Sequence, residues 1–145
     1  MATTIVIVCV DKNVVYYTSI GDSRMYSIDN DFTKISQVTE DDTYVNALLK
    51  TNIINEEEAL NHPQKHMLTK AVGIFNKIDV KVHTLSENFK GYILICTDGV
   101  TNMLNETDIL NIFKKNKFEN VANKIVEKAN DRGGIDNITV VVIKL

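Results

Sequence analysis

Short apolar runs alternate with polar turns through the first forty residues, and the spacing then changes. Thr4–Val10 is β-branched and apolar almost throughout, which predicts a strand buried on both faces. Asp11-Lys12-Asn13 reads as a tight turn and Val14–Ile20 as a second strand, so the two form a hairpin. Met25–Ile28 and the alternating Phe32–Val38 extend it into a meander, broken by Gly21-Asp22-Ser23-Arg24 and by Asp29-Asn30-Asp31. In Asp42–Lys50 the apolar Val45, Leu48 and Leu49 fall at helical spacing, with Thr43 or Asp42 as cap. Asn55 with Glu58 three residues on matches a capping box, and this second helix must end near Pro63. The stretch at about 41–66 is polar, with few apolar anchors, and is expected to form a flap rather than core.

Strands are predicted again at Leu68–Val72, Lys77–Leu85 and Tyr92–Thr97. Asn105 caps a further helix that turns Ile109, Leu110 and Phe113 inward. Phe118–Asn130 is the best amphipathic helix, with Val121, Ala122, Ile125, Val126 and Ala129 on its apolar face. Asp131-Arg132-Gly133-Gly134 ends it. Asn137–Leu145 is the last strand, with its apolar centre at Val140–Ile143. No repeat, linker or low-complexity tract interrupts the chain, so residues 1–145 are expected to form one domain.

Composition narrows the class. With 44% hydrophobic and 24% charged residues, the chain is expected to be a soluble globular protein. A net charge of -3 and the lack of a basic face argue against a nucleic-acid partner. The longest apolar runs are too short to cross a bilayer, so no membrane is expected. Met1-Ala2-Thr3-Thr4 leads into a strand-like run without a basic segment or small-residue cleavage site, so no signal peptide is expected. Cys9 and Cys96 both lie in apolar runs and read as reduced core residues, which fits a cytoplasmic protein.

The candidate chemistry lies in three aspartates at strand ends. Asp22 follows the second strand, Asp98 follows Tyr92–Thr97 and is followed by Gly99, and Asp136 precedes the last strand. A carboxylate at a strand end is fixed by the sheet yet reachable from solvent. Three of them converging would suit a hard divalent cation such as Mg²⁺ or Mn²⁺, which takes oxygen ligands. From the residues alone, three separate turn aspartates account for the pattern equally well.

A set of ordered motifs adds to this. Gly21-Asp22-Ser23-Arg24 with Tyr26, and Thr39-Glu40-Asp41-Asp42 followed by Val45 and Leu48, come first. Glu57-Glu58-Ala59, His62-Pro63 and Leu68-Thr69-Lys70-Ala71-Val72-Gly73 follow. Cys96-Thr97-Asp98-Gly99-Val100 and Gly133-Gly134-Ile135-Asp136-Asn137-Ile138-Thr139-Val140-Val141 complete the series. In order and spacing the chain resembles the type 2C, or PPM, metal-dependent protein serine/threonine phosphatases, most closely the bacterial members.

The resemblance implies an α+β fold, an antiparallel β-sandwich flanked by helices, with metals in a cleft at one end. It implies that Asp98 and Asp136 bind one metal of a two-metal centre. Asp22 and Asp98, with the backbone carbonyl near His66, would bind a third beside the flap. Gly21, Ser23, Arg24, Gly99, Gly134 and Asn137 support the motifs. An Asn usually stands at the His66 position in the family, a change that a carbonyl ligand tolerates. The implied reaction is metal-assisted attack of water on a phosphoserine or phosphothreonine of a phosphoprotein substrate.

The resemblance also implies that the family's domain begins upstream of Met1. The phosphate-gripping arginine, the aspartate that bridges the two metals and the proposed general-acid histidine then have no counterpart here. Arg24 is read as a structural hydrogen-bonding residue and Arg132 as a helix-end cation; His62 is read as flap packing, and His83 as lying on an exposed strand face. The leading expectation is therefore the C-terminal portion of a phosphatase domain, incomplete at its N-terminus, with weak or absent activity and one divalent cation on Asp98 with Asp22 or Asp136. An alternative is a non-catalytic binding or regulatory module of the same family. A third is a phosphatase assembled from two chains. An open sheet face is expected, to be buried by a homodimer, by a separate N-terminal half or by a rearrangement, or used for binding by the module.

Overall fold

The structure, a computed structural model, describes residues 1–74 and 77–145. Its strands are β1 (Ile5–Asp11), β2 (Val14–Ile20), β3 (Arg24–Asp29), β4 (Ile35–Gln37), β5 (His83–Thr84), β6 (Gly91–Cys96) and β7 (Val140–Lys144). Its helices are α1 (Tyr44–Lys50), α2 (Glu56–Asn61), α3 (Asp98–Thr101), α4 (Glu106–Lys115) and α5 (Phe118–Asp131). One antiparallel sheet has the order β1-β2-β5 and the other β4-β3-β6-β7.

The expected hairpin forms because its turn fits. Asp11 pairs with Val14, leaving Lys12 and Asn13 as a two-residue loop with φ of 45° and 73°. Such left-handed pairs match the right-handed twist of the strands they join.

β6 is the central strand, paired with β3 on one side and β7 on the other. Leu94 and Cys96 on β6, with Tyr26 and Ile28 on β3, pack under Phe113 of α4 and Ile125 of α5. On the opposite face Ile93 and Met25 meet Val15 of the first sheet. Burial on both faces explains why β6 is apolar throughout rather than alternating. The apolar stripes of α4 and α5 follow the expected spacing, with Ile109, Phe113, Val121, Ile125 and Ala129 buried. Leu110, Ala122 and Val126 are half-buried at the edge. Capping boxes at Asn55–Glu58 and Asn105–Asp108 start α2 and α4.

Five expectations change. β1 is not buried on both faces: Ile7 is 50% exposed, with Ile5, Cys9 and Tyr16 exposed beside it. This strand is the edge of its sheet, and only the Val6–Val8 side packs inward. Cys9 is therefore a free surface thiol rather than a core residue, whereas Cys96 is buried. Phe32–Val38 is paired only over Ile35–Gln37. There Asp31 accepts from the Thr33 amide and hydroxyl, a local bond that competes with the ladder. Phe32, at φ 56°, instead packs on Tyr92 and Phe113.

Leu68–Val72 is not a strand; its ends make single bridges, Thr43 to Leu68 and Thr3 to Val72. In the expected strand Lys77–Leu85, only His83–Thr84 pairs, with Tyr16 and Tyr17. A strand needs a partner ladder as well as propensity, and the remainder of that segment has none. Among the described residues no helix is long and apolar enough to cross a membrane.

Candidate metal centre

Asp22, His66, Asp98 and Asp136 line one cavity of about 570 Å³ at the end of the sandwich. Each reaches it from a different element. Asp22 sits in the loop between β2 and β3, Asp98 opens α3 directly after β6, and Asp136 lies in the loop from α5 to β7. His66 follows α2, and it and Asp136 are exposed while Asp22 and Asp98 are half-buried.

The Asp22 loop is closed against the start of the polar segment. The Gly21 amide donates to the Asp42 carboxylate at 3.0 Å, and the Asp42 amide donates back to the Gly21 carbonyl at 2.9 Å. Gly21 has φ of +104°, and a Cβ there would stand 2.3 Å from the Thr4 methyl, so only glycine fits. Thr4 and Ser23 share a hydroxyl–hydroxyl bond of 2.9 Å. Arg24 donates from Nε and Nη2 to Asp41, and from Nη1 to the Tyr26 hydroxyl at 3.1 Å. The guanidinium thus joins β3 to the segment that leads into α1.

On the other wall, Thr97 ties the β6 end to β7. Its hydroxyl donates to the Asn137 carbonyl at 3.2 Å and accepts from the Thr139 amide at 3.0 Å. Asp98 is the first residue of a helical turn rather than part of a plain Asp-Gly turn. That geometry brings Asn102, four residues on, to donate to Asp98 Oδ2 at 3.4 Å. Sequence reasoning missed Thr97, Asn102 and Asp42. Asn102 was findable had the segment after Asp98 been read as helical, because positions four apart share a helix face.

Electrostatics distinguish the three aspartates. Burial, and next the charge of Asp98, push the Asp22 carboxyl above its usual range. No ion pair among the described residues engages Asp22, Asp98 or Asp136. Two carboxylates that share a cavity and repel each other mark a place for a cation, and oxygen donors suit a hard one. The third carboxylate, Asp136, lines the same cavity, and its Oδ1 accepts from the adjacent Asn137 amide at 2.7 Å. Among the described residues no three His, Cys, Asp or Glu side chains gather closely enough to hold a metal ion. The carboxylate oxygens of Asp22 and Asp98 in one cavity are a donor set that fits a hard cation. Cys96, buried beneath the site, has its thiol pushed up to about 12 by desolvation and is chemically quiet.

The remaining histidines and Arg132 lie outside the cavity lining. The His62 ring lies 5.9 Å from that of Tyr44, and His83 stacks on Tyr17 on the exposed β5. Arg132 does more than end a helix, because it donates two bonds of 2.6 Å to Asp108.

With this geometry in place, the likenesses to known proteins are informative. The serine/threonine phosphatase stp of Listeria welshimeri is 38% identical over 145 residues, covering 99% of this chain and 57% of the relative. The protein phosphatase PhpP of Streptococcus pneumoniae is 34% identical, with 58% of its length covered. The chain thus spans little more than half the length of these curated relatives. The crystal structure of Stp1 from Staphylococcus aureus superposes with a TM-score of 0.92 at 31% identity, over 100% of this chain and 57% of that one. The catalytic domain of a phosphatase PstP, solved with two manganese ions, superposes with a TM-score of 0.84 at 28% identity, over 98% and 58%. A family model described as protein phosphatase 2C matches residues 1–132. The antiparallel sandwich with flanking helices and the matched motifs agree: the chain belongs to the protein phosphatase 2C family.

Proposed function

We propose that this chain holds a divalent cation, Mg²⁺ or Mn²⁺, on Asp98 with Asp22, Asp136 joining through water or a small loop shift. Its reaction class would be hydrolysis of phosphoserine and phosphothreonine in proteins. The observation that carries the reading is the pair of unneutralised carboxylates, Asp22 and Asp98, in one cavity. The two manganese ions of the PstP relative support the choice of metal. A bound cation would activate a water and polarise the phosphoryl oxygens. The residues here would orient it: Asp98 as the shared ligand, Asn102 holding one Asp98 oxygen, and Thr97 fixing the loop that carries Asp136.

The chain by itself would turn over phosphate esters feebly or not at all. Its two arginines are both committed, Arg24 to Asp41 and Arg132 to Asp108, so neither is free to grip a phosphate dianion. Residues at about 41–66 would act as a flap beside the cavity: α1 buries no residue and α2 only Ala59. An exposed free Cys9 suits a reducing, cytoplasmic setting.

The test is a Mn²⁺ titration of the full chain with an assay on p-nitrophenyl phosphate. Saturable Mn²⁺ binding that Asp98→Ala abolishes supports the site. An unchanged titration in that variant rejects it, and brisk turnover by the isolated chain rejects the claim of feeble activity.

A further inference from the structure

Arg132 carries none of the cavity's carboxylates, yet it joins the segments that do. It follows α5, and the next residues, Gly133 to Asp136, form the loop that bears Asp136. Its guanidinium makes a fork on Asp108, with Nη1 to Oδ2 and Nη2 to Oδ1 both at 2.6 Å. Nη1 also donates to the Met103 carbonyl at 3.1 Å. Asp108 lies in the first turn of α4, where its carboxylate also accepts from the Asn105 amide at 3.2 Å. Met103 ends the turn that Asp98 begins, its amide donating to the Val100 carbonyl at 3.0 Å. One side chain therefore bolts the connection after Asp98 to the root of the Asp136 loop.

The far end of that loop is held as well, where Thr97 donates to the Asn137 carbonyl. Between these two anchors the backbone is tied at its start, where the Gly133 and Gly134 amides donate to the Asn130 and Ala129 carbonyls at 2.9 and 3.3 Å. Gly133 and Gly134 have φ of +131° and +53°, and glycine leaves the chain free to wander if an anchor is lost.

We propose that Arg132 is a positioning residue of the cation site, its fork on Asp108 and the Met103 carbonyl setting where Asp136 stands relative to Asp98. The inference rests on the cation reading above. A helix-end charge alone would be served equally by lysine, which lacks the planar fork that reads two carboxylate oxygens and a carbonyl together.

The test compares Arg132→Lys, Arg132→Gln and Asp108→Asn with the full wild-type chain. Mn²⁺ affinity, melting temperature and amide hydrogen exchange of residues 133–137 are measured together. Outer partners of metal ligands typically change affinity by about tenfold or more. Both Arg132 variants are expected to bind Mn²⁺ about tenfold more weakly. Asp108→Asn should do the same, and its combination with Arg132→Gln should be no worse than either alone. Exchange at 133–137 should speed up while β6 amides stay protected. Wild-type Mn²⁺ affinity in Arg132→Lys overturns the role of the fork. If the wild type itself binds no Mn²⁺, the cation reading falls and with it this role at the site. In that case exchange still judges the clamp: unchanged protection at 133–137 in Arg132→Gln overturns that too.

Discussion

The carbonyl oxygen of Asn137 lies 2.3 Å from the place a Cβ on Gly99 would take. The turn that starts at Asp98 and the loop that carries Asp136 thus meet backbone to backbone, closer than any side chain would allow. Gly99 is needed for contact rather than for an unusual φ.

Gly99→Ala should therefore destabilise the protein despite alanine's better helix propensity. Forcing a methyl against a backbone carbonyl costs about 1–3 kcal/mol, set against a gain of up to about 1 from propensity. The expected fall in Tm is several degrees, at roughly 2–4 °C per kcal/mol for a chain of this size. Mn²⁺ binding should weaken in the same variant. A melting temperature at or above wild type would show that the loop yields freely.

Asp22→Asn should separate stability from binding. Burial and the Asp98 charge raise the Asp22 carboxyl, so its ionised form is a cost to the metal-free fold. Removing that charge is expected to stabilise the apo protein by less than about 1 kcal/mol after solvent screening. Mn²⁺ affinity should drop. Urea denaturation with and without Mn²⁺ gives both answers, and an apo variant less stable than wild type would contradict the repulsion.

The acid limb of stability should depend on Asp108. Hydrogen bonds from Arg132 hold this carboxyl below its usual range. On acidification the unfolded chain takes up that proton first, near the ordinary value of about 3.9. The contribution is therefore full above that value and fades as pH falls through the lower folded one. Asp22 has the opposite sign: its raised value makes stability fall as pH rises above the ordinary carboxylate range. Asp108→Asn should flatten the loss of stability below about pH 4. An unchanged slope would mean that the ion pair adds nothing in solution.

Two apolar residues should respond in opposite ways. Phe113→Ala empties a site packed by Phe32 and Tyr92 and should cost about 3–5 kcal/mol. Ile7→Lys, on the open face of β1, should leave the melting temperature within a degree or two and reduce self-association, since exposed apolar surface favours it. Light scattering against concentration checks the second. A large loss of stability in Ile7→Lys would mean that the face is covered.

Much of the site could be read along the chain, though not its wiring. The three aspartates stood out because each ends or begins an expected strand next to a glycine or a turn. Which of them share a field could not be read there. Thr97 meets Asn137 across 40 residues of sequence, and Arg132 meets Asp108 across 24. No local period encodes such pairs. Cys9 shows the same limit: its run looked buried from composition, yet it lies on the exposed face of β1.

What the chain determined by itself is what depends on near neighbours. The Lys12-Asn13 turn, the capping boxes of α2 and α4, the apolar stripe of α5 and the unbroken apolar run of β6 all follow from period, caps and turn chemistry within a few residues. The tertiary structure decided what needs a distant partner. It gave Lys77–Leu85 only two paired residues, left one face of β1 exposed, and brought Asp22, Asp98 and Asp136 to one cavity from three parts of the chain. A strand exists only with a ladder beside it, and two carboxylates feel each other's charge only where the fold brings them close.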